Sequence, residues 1–264
     1  MIAEINGKIS RTGTNLKETL EDNLTGNVFG SLRYIPFSKG IKKVLEKVIC
    51  DELFDKYESE EWSDSIEFWP YHKDGEIDLV INLKLVTIAI EAKYNSGLSS
   101  DDDISNDYKS CDKSKNQLAR ESRIVKEFAE ASGTKPILLF LAREKDGRET
   151  VEYVNGRNII EASVPLKFIS WEDIYVTLEE ISKSSDLSYF EKIIVQDIVS
   201  LLKRKGFNSF KSFKELIIEK EIDEEMYYKF YLNDSMNLIQ VQGLEDFGFK
   251  SEINIEKDGY YEFL

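Results

Sequence analysis

Two apolar segments, EIDLVIN (residues 76–82) and VTIAIEAK (residues 86–93), follow each other closely in the first half of the chain. Both are rich in valine and isoleucine, which favour β-strands. The link Asn82–Leu85 is too short for the crossover connection that parallel strands require. The two segments are therefore predicted to form an antiparallel hairpin.

Side chains alternate between the two faces of a strand, so each segment has a core face and an opposite face. The predicted core faces carry Ile77, Leu79, Ile81, Val86, Ile88, Ile90 and Ala92. The opposite face carries Asp78 on the first strand, and Glu91 with Lys93 on the second. Pairing of the hairpin is expected to bring Asp78 close to Glu91, with Lys93 beside them.

Two carboxylates at close range repel each other, and each loses hydration in a partly buried site. Lys93 supplies one positive charge, and a divalent cation would supply two more. Oxygen ligands suit Mg²⁺ or Mn²⁺. The alternative interpretation is a salt bridge at a strand end, a common surface feature that contributes little to stability. The pattern favours a metal site built on Asp78 and Glu91.

The composition limits which other kinds of functional site this chain can contain. The 264 residues carry a net charge of -15, so a nucleic-acid site requires a local basic patch, a bridging metal or a partner. His72 is the single histidine, which disfavours phosphoesterases and nucleases that use several histidines. Cys50 and Cys111 lack metal-ligand spacing, which fits a reducing, cytoplasmic compartment. Neither a signal peptide nor a membrane span is predicted.

Beyond the hairpin, helical and strand patterns alternate. Helices are predicted at 15–35, 38–57, 113–132, 172–183 and 188–207. Strands are predicted at 65–71, 135–143 and 166–171, with a further short strand, ETVEYVN, at 149–155. This order predicts an α/β fold in which helices flank a mixed central sheet. A domain is expected over residues 1–206, and residues 207–264 form an α/β extension that packs on the core or serves as an interaction surface.

One spacing pattern resembles the motif of the PD-(D/E)XK nuclease superfamily. In it, Asp78 is followed after twelve residues by Glu91-Ala92-Lys93 at the end of an apolar strand. The resemblance covers residues 15–206 and implies a restriction-endonuclease-like core. Gln117 matches the glutamine of the Gln-x-x-x-Tyr motif in RecB-like branches, but Glu121 stands in place of the tyrosine, which leaves its role open. Four further pieces resemble poorly characterised bacterial members associated with defence: LEDNLTGNVFGSLRYIP, GEIDLVI, EAKYNSGLSS and QLARE.

The resemblance implies phosphodiester hydrolysis that depends on Mg²⁺ or Mn²⁺, with DNA favoured as the substrate, in an anti-phage or restriction-type system. It assigns Asp78, Glu91 and the carbonyl of Ala92 to the metal, with Glu21 as a further metal-associated acid. Lys93 would orient or deprotonate the attacking water, and Gln117 would position Lys93 or a phosphate oxygen.

Other interpretations stay open for the basic and acidic residues outside the motif. Lys115 and Arg120 near the motif helix are candidate phosphate contacts, or an ordinary helix surface. The acidic run at residues 101–103 is predicted to be solvated. The alternative function is a nuclease-fold binding or assembly subunit with weak or no catalysis, which would associate with a protein partner or with a second copy.

Overall fold

The computed structural model of the chain describes residues 20–54, 62–102 and 114–208, and the statements below concern these ranges. They lie in a compact unit that spans residues 1–210, whereas a second unit, 211–264, lies outside the described residues. The predicted extension from residue 207 therefore stays a prediction, as does the boundary at 206.

Helices and strands alternate along the described chain. The α-helices are α1 (Leu20–Leu32), α2 (Ile41–Leu45), α3 (Gln117–Ser132), α4 (Glu144–Gly156), α5 (Trp171–Ser182) and α6 (Tyr189–Arg204). The strands are β1 (Ile66–Phe68), β2 (Tyr71–His72), β3 (Gly75–Glu76), β4 (Leu79–Asn82), β5 (Val86–Ala92), β6 (Lys135–Ala142) and β7 (Leu166–Ser170). Short 3-10 turns lie at Phe37–Lys39, Asp51–Leu53 and Ser63–Ser65.

Five of the strands form one mixed sheet in the order β1-β4-β5-β6-β7. β4 pairs antiparallel with β1 and β5, whereas β6 runs parallel to β5 and β7. The predicted hairpin is confirmed by the register of β4 on β5, in which Leu79 faces Ile90. The prediction of a mixed sheet flanked by helices is also confirmed. Strands β2 and β3 form a separate two-stranded ribbon.

Each face of the sheet packs against helices, because β5 and β6 are apolar on both faces. One face, carrying Ile88 and Ile90, packs with α1, α2, α5 and α6. The other face, carrying Ala89 and Leu138, packs with α3 and α4. Burying one such large aliphatic side chain stabilises the fold by about 1.5–3 kcal/mol. The result is a helix–sheet–helix sandwich whose central strand, β5, ends at Ala92.

Three local predictions are wrong. Residues 149–155 lie in helix α4, where Val154 is buried against the sheet, and an i, i+4 ion pair joins Glu144 to Arg148. Within its described part, the predicted helix at 38–57 is replaced by the five-residue α2 and by two 3-10 turns, the first of which begins at Phe37. Ile77 precedes β4 and packs with the α3 face, not with the face that holds Leu79.

In the described ranges, no helix has both the length and the apolar character that crossing a lipid bilayer requires.

Candidate metal centre

The hairpin places Asp78 against the end of β5. Asp78 lies directly before β4, and the register that pairs Leu79 with Ile90 sets it beside Glu91. The Ala92 amide donates a hydrogen bond to Oδ2 of Asp78 over 2.9 Å. The two motif carboxyl groups thus share one end of the sheet, as the alternation of side chains predicts.

Lys93 is almost fully buried, although it carries an amine. Its Nζ lies 2.7 Å from Oε1 of Glu91 and 3.0 Å from Oε1 of Glu21. Its backbone is fixed on both sides, because its amide donates to the Leu141 carbonyl and its carbonyl accepts from the Trp171 indole. The ammonium therefore has a defined position between two carboxylates.

Glu21 reaches the same point from helix α1, on the other side of the strand end. Its Oε2 accepts hydrogen bonds from the Tyr94 amide over 2.9 Å and from the Ser96 hydroxyl over 2.7 Å. Its Oε1 accepts from Lys93. Three donors that directly follow β5, from Lys93, Tyr94 and Ser96, thus hold the Glu21 carboxylate. The contact with Lys93 places this carboxylate beside Glu91 and Asp78.

Gln117 is the first residue of α3, which Asn116 caps by accepting hydrogen bonds from two backbone amides. The side-chain amide of Gln117 donates a hydrogen bond to Oε1 of Glu91. The side-chain oxygen of Gln117 accepts a hydrogen bond from the Ser99 backbone amide over 2.7 Å. The resemblance predicted that Gln117 positions Lys93 or a phosphate oxygen. Here Gln117 holds the carboxylate that Lys93 also contacts.

Glu121 is a residue of this centre whose role the sequence left open. It lies one helical turn after Gln117, on the same side of α3, and is 2% exposed. Neither of its carboxyl oxygens makes a hydrogen bond of ordinary geometry with a described residue. The i, i+4 spacing from Gln117 was the signal that could have identified it.

The electrostatics follow from this crowding. Burial, reinforced by the Glu91 carboxylate, raises the pKa of Asp78 to about 8. Burial also raises the pKa of Glu91, and Lys93 only partly opposes this. The pKa of Glu121 is raised well above its usual range by burial, by Glu91 and by Asp78. Burial alone would lower the pKa of Lys93, but the Glu91 and Glu21 carboxylates outweigh it and raise that pKa.

The two predicted phosphate contacts lie on or next to α3. Arg120 donates to the Asp74 carbonyl over 2.7 Å and to the Ser100 hydroxyl over 3.3 Å, so it braces the β2–β3 turn against the loop after β5. The side chain of Lys115 is exposed. Binding of nucleic acid by either residue stays a prediction.

The acidic run after β5 is solvated only in part, because Asp101 is exposed as predicted, whereas Asp102 is buried. Arg157 lies 2.6 Å from both Asp101 and Asp102, and the Asp102 side chain is only 1% exposed. The Ser114 hydroxyl also donates to Asp102, over 2.6 Å. These contacts fasten the segment before α3; Asp103 lies outside the described residues.

Among the described residues, the group of three acidic or histidine ligands whose ligand atoms all lie within 4.8 Å of one another is His72 with Asp74 and Glu127. Its partners are already present, however. Nδ1 of His72 accepts from the Asp74 amide, Nε2 lies 3.1 Å from Glu127, and Lys73 also contacts Glu127. Both ring nitrogens are thus used within the protein, so this group is best described as a hydrogen-bonded cluster.

The main centre has the ligand chemistry of a divalent cation. The carboxyl groups of Asp78, Glu91 and Glu21 lie near the single charge of Lys93, and the buried carboxyl group of Glu121 lies close to those of Glu91 and Asp78. All these potential ligands are oxygens, which suit Mg²⁺ or Mn²⁺. Comparisons of this chain with protein families, with curated proteins and with solved structures gave no match.

Proposed function

We propose that this protein is a Mg²⁺-dependent nuclease of the PD-(D/E)XK type with a restriction-endonuclease-like core. The observation that supports this most strongly is the meeting of Asp78, Glu91 and Lys93 at the end of β5. A mixed sheet with helices on both faces, and with α1 and α3 each adding a carboxylate near this point, also agrees with the proposal.

In this proposal Asp78, Glu91 and the Ala92 carbonyl hold Mg²⁺ or Mn²⁺. Such a cation, when bound, lowers the pKa of a coordinated water and offsets negative charge on the phosphate. The protein's own part is to fix the carboxylates. Gln117 and Lys93 hold Oε1 of Glu91, and the Ala92 amide holds Oδ2 of Asp78.

Lys93 acts in the proposed reaction as an ammonium. Because Glu91 and Glu21 raise its pKa, it keeps its proton near neutral pH. An ammonium can donate hydrogen bonds to the attacking water and to a phosphate oxygen, and it stabilises negative charge in the transition state. Between the two roles that the resemblance implies, orientation of water is therefore favoured over its deprotonation.

DNA is the substrate that we propose, within a bacterial anti-phage or restriction-type system. The acidic chain needs local positive charge to hold a phosphate backbone, and residues beside the centre provide some. Arg143 follows β6 at the same end of the sheet and lies over the ring of Tyr94, with Lys205 on that ring as well. Arg143 also lies 3.8 Å from Glu172, which partly neutralises it.

The test is cleavage by the purified full-length chain with Mg²⁺ or Mn²⁺ on single-stranded DNA, double-stranded DNA and RNA. Lys93→Ala should remove cleavage. Lys135→Ala is the matched control, because Lys135 is an exposed lysine that pairs with Val86 at the opposite end of β5. Equal rates for wild type and Lys93→Ala would contradict the proposal, as would a wild type that cuts none of the three substrates.

A second candidate function is a binding or assembly subunit. It is favoured by the exposed aromatic pair at the start of α6, where Tyr189 and Phe190 are 74% and 75% exposed, and by the net charge of -15. A partner protein or a second copy would cover this pair. Mass photometry of the protein alone and a thermal shift with divalent ions separate the candidates, because a module without catalysis needs no cation at Asp78 and Glu91.

A further inference from the structure

We propose that Glu121 is an additional carboxylate ligand of the divalent cation held by Asp78 and Glu91. This inference rests on the proposed metal-dependent function and assigns to that centre a residue that the motif does not contain. If it is correct, the centre draws ligands from helix α3 as well as from strands β4 and β5.

The position of Glu121 is set by the start of α3. Asn116 caps the helix, and the Gln117 backbone amide donates to the Ser100 carbonyl over 3.1 Å. Residues four apart share one side of a helix. Glu121 therefore lies one turn after Gln117 on the side of α3 from which the Gln117 side-chain amide reaches Glu91. The carboxyl groups of Glu91 and Asp78 are both close enough to Glu121 to raise its pKa.

The carboxyl group of Glu121 lacks the donors that usually hold a buried carboxylate. Buried carboxylates are normally held by hydrogen-bond donors or by a cation. Neither oxygen of Glu121 makes an ordinary hydrogen bond with a described residue. The nearby donors are shared with other carboxylates, since Lys93 contacts Glu91 and Glu21, and the side-chain amide of Gln117, which also lies close to Glu121, donates to Glu91.

The arrangement at Glu91 favours a cation shared with Glu121. Lys93 and Gln117 both contact Oε1 of Glu91. Glu121 lies within hydrogen-bond reach of Glu91, but two ionised carboxylates repel each other and can keep that contact only by sharing a proton or a cation. A divalent cation in contact with both groups would convert that repulsion into attraction and would use the oxygens of Glu121.

The experiment measures cation binding directly, so that it does not depend on activity. Full-length protein stripped of metal by a chelator is titrated with Mn²⁺ by calorimetry, as wild type, Glu121→Gln and Glu130→Gln. Glu130 is an exposed acid on the same helix. Loss of a group that only supports a metal ligand typically lowers metal affinity by about 10- to 100-fold. Glu121→Gln should lower the Mn²⁺ affinity by at least this factor. Glu130→Gln should bind as wild type does.

The outcomes separate the inference from the function on which it rests. If wild type and Glu121→Gln bind Mn²⁺ equally well, Glu121 is not a ligand, although the metal-dependent nuclease survives. If wild type binds no Mn²⁺, both proposals are overturned.

A second variant covers the case in which Glu121→Gln does not fold. Glu121→Cys introduces a soft thiolate ligand, which should shift the preference of the centre from Mn²⁺ toward Cd²⁺. Glu130→Cys is the matched control for the added thiol. A ratio of Cd²⁺ to Mn²⁺ affinity that is the same in both cysteine variants would overturn the inference.

Discussion

The carboxyl group of Asp78 should destabilise the metal-free protein near neutral pH. Burial and the neighbouring Glu91 carboxylate raise its pKa from 3.8 to about 8. Replacing Asp78 with asparagine keeps an oxygen that can accept the hydrogen bond from the Ala92 amide, but removes the titrating group. We therefore expect Asp78→Asn to be more stable than wild type when no divalent ion is present.

The sign follows from proton linkage. A carboxyl group whose pKa is raised in the folded state favours folding only while it is protonated, so that its contribution is complete below pH 3.8 and is lost as the pH rises to about 8. At about 1.36 kcal/mol per pKa unit, the cost is about 1.5 kcal/mol at pH 5 and about 4 kcal/mol at pH 7. These values are upper limits, because Asp78 is not fully buried.

Urea unfolding of chelator-treated protein at pH 5 and pH 7 measures this effect. The stability gain of Asp78→Asn over wild type should be larger at pH 7 by up to about 2.5–3 kcal/mol. Asp64→Asn is the control, because Asp64 is exposed and its substitution should change little at either pH. Addition of Mg²⁺ should stabilise wild type more than Asp78→Asn.

One result would refute this reasoning directly. If metal-free Asp78→Asn is less stable than wild type at pH 7, the Asp78 carboxylate is well stabilised in the folded protein without a cation. A gain that is the same at both pH values would also refute it, since the stability difference would then not arise from the titration of Asp78.

Two further substitutions test an ion pair and a packing contact elsewhere in the fold, both by urea unfolding. Arg157→Ala leaves the buried Asp102 with fewer partners and should cost about 1–3 kcal/mol, whereas loss of the exposed Arg148 should cost less. Gly147→Ala should cost about 1–3 kcal/mol, because a Cβ atom there would clash with the Phe168 ring. Phe168→Leu should recover part of that loss, and an unchanged Gly147→Ala would contradict the packing argument.

The sequence predicts the β4–β5 hairpin and the polarity of β5 well, for a local reason. A short link restricts the hairpin geometry, and the two-residue period of a strand then fixes which side chains share a face. Glu91 and Lys93 consequently lie on one face, and Asp78 reaches the same end of the sheet. The metal centre that this geometry suggested stays a proposal.

Features set by distant contacts are not visible in the local pattern. The predicted strand at 65–71 divides at Trp69, whose backbone has a φ of 51°, an unusual conformation for a bulky residue. Residues 149–155 are rich in the β-branched and aromatic residues typical of a strand, yet they form a helix in which Val154 packs against an apolar face of the sheet. Glu121 has a helical spacing from Gln117, but its burial depends on the whole sandwich.

The charge balance supports our proposal that this centre binds a cation, because it contributes little to the stability of the fold. A buried ion pair is rarely more stabilising than an apolar pair of similar size, because both charges lose hydration. Here the ammonium of Lys93 faces Glu91 and Glu21, while Asp78 and Glu121 add further carboxyl groups with raised pKa values. Protonation can relieve that repulsion only by neutralising the oxygens that bind metal. A divalent cation relieves it while the carboxylates stay ionised, which is the state that the proposed hydrolysis requires.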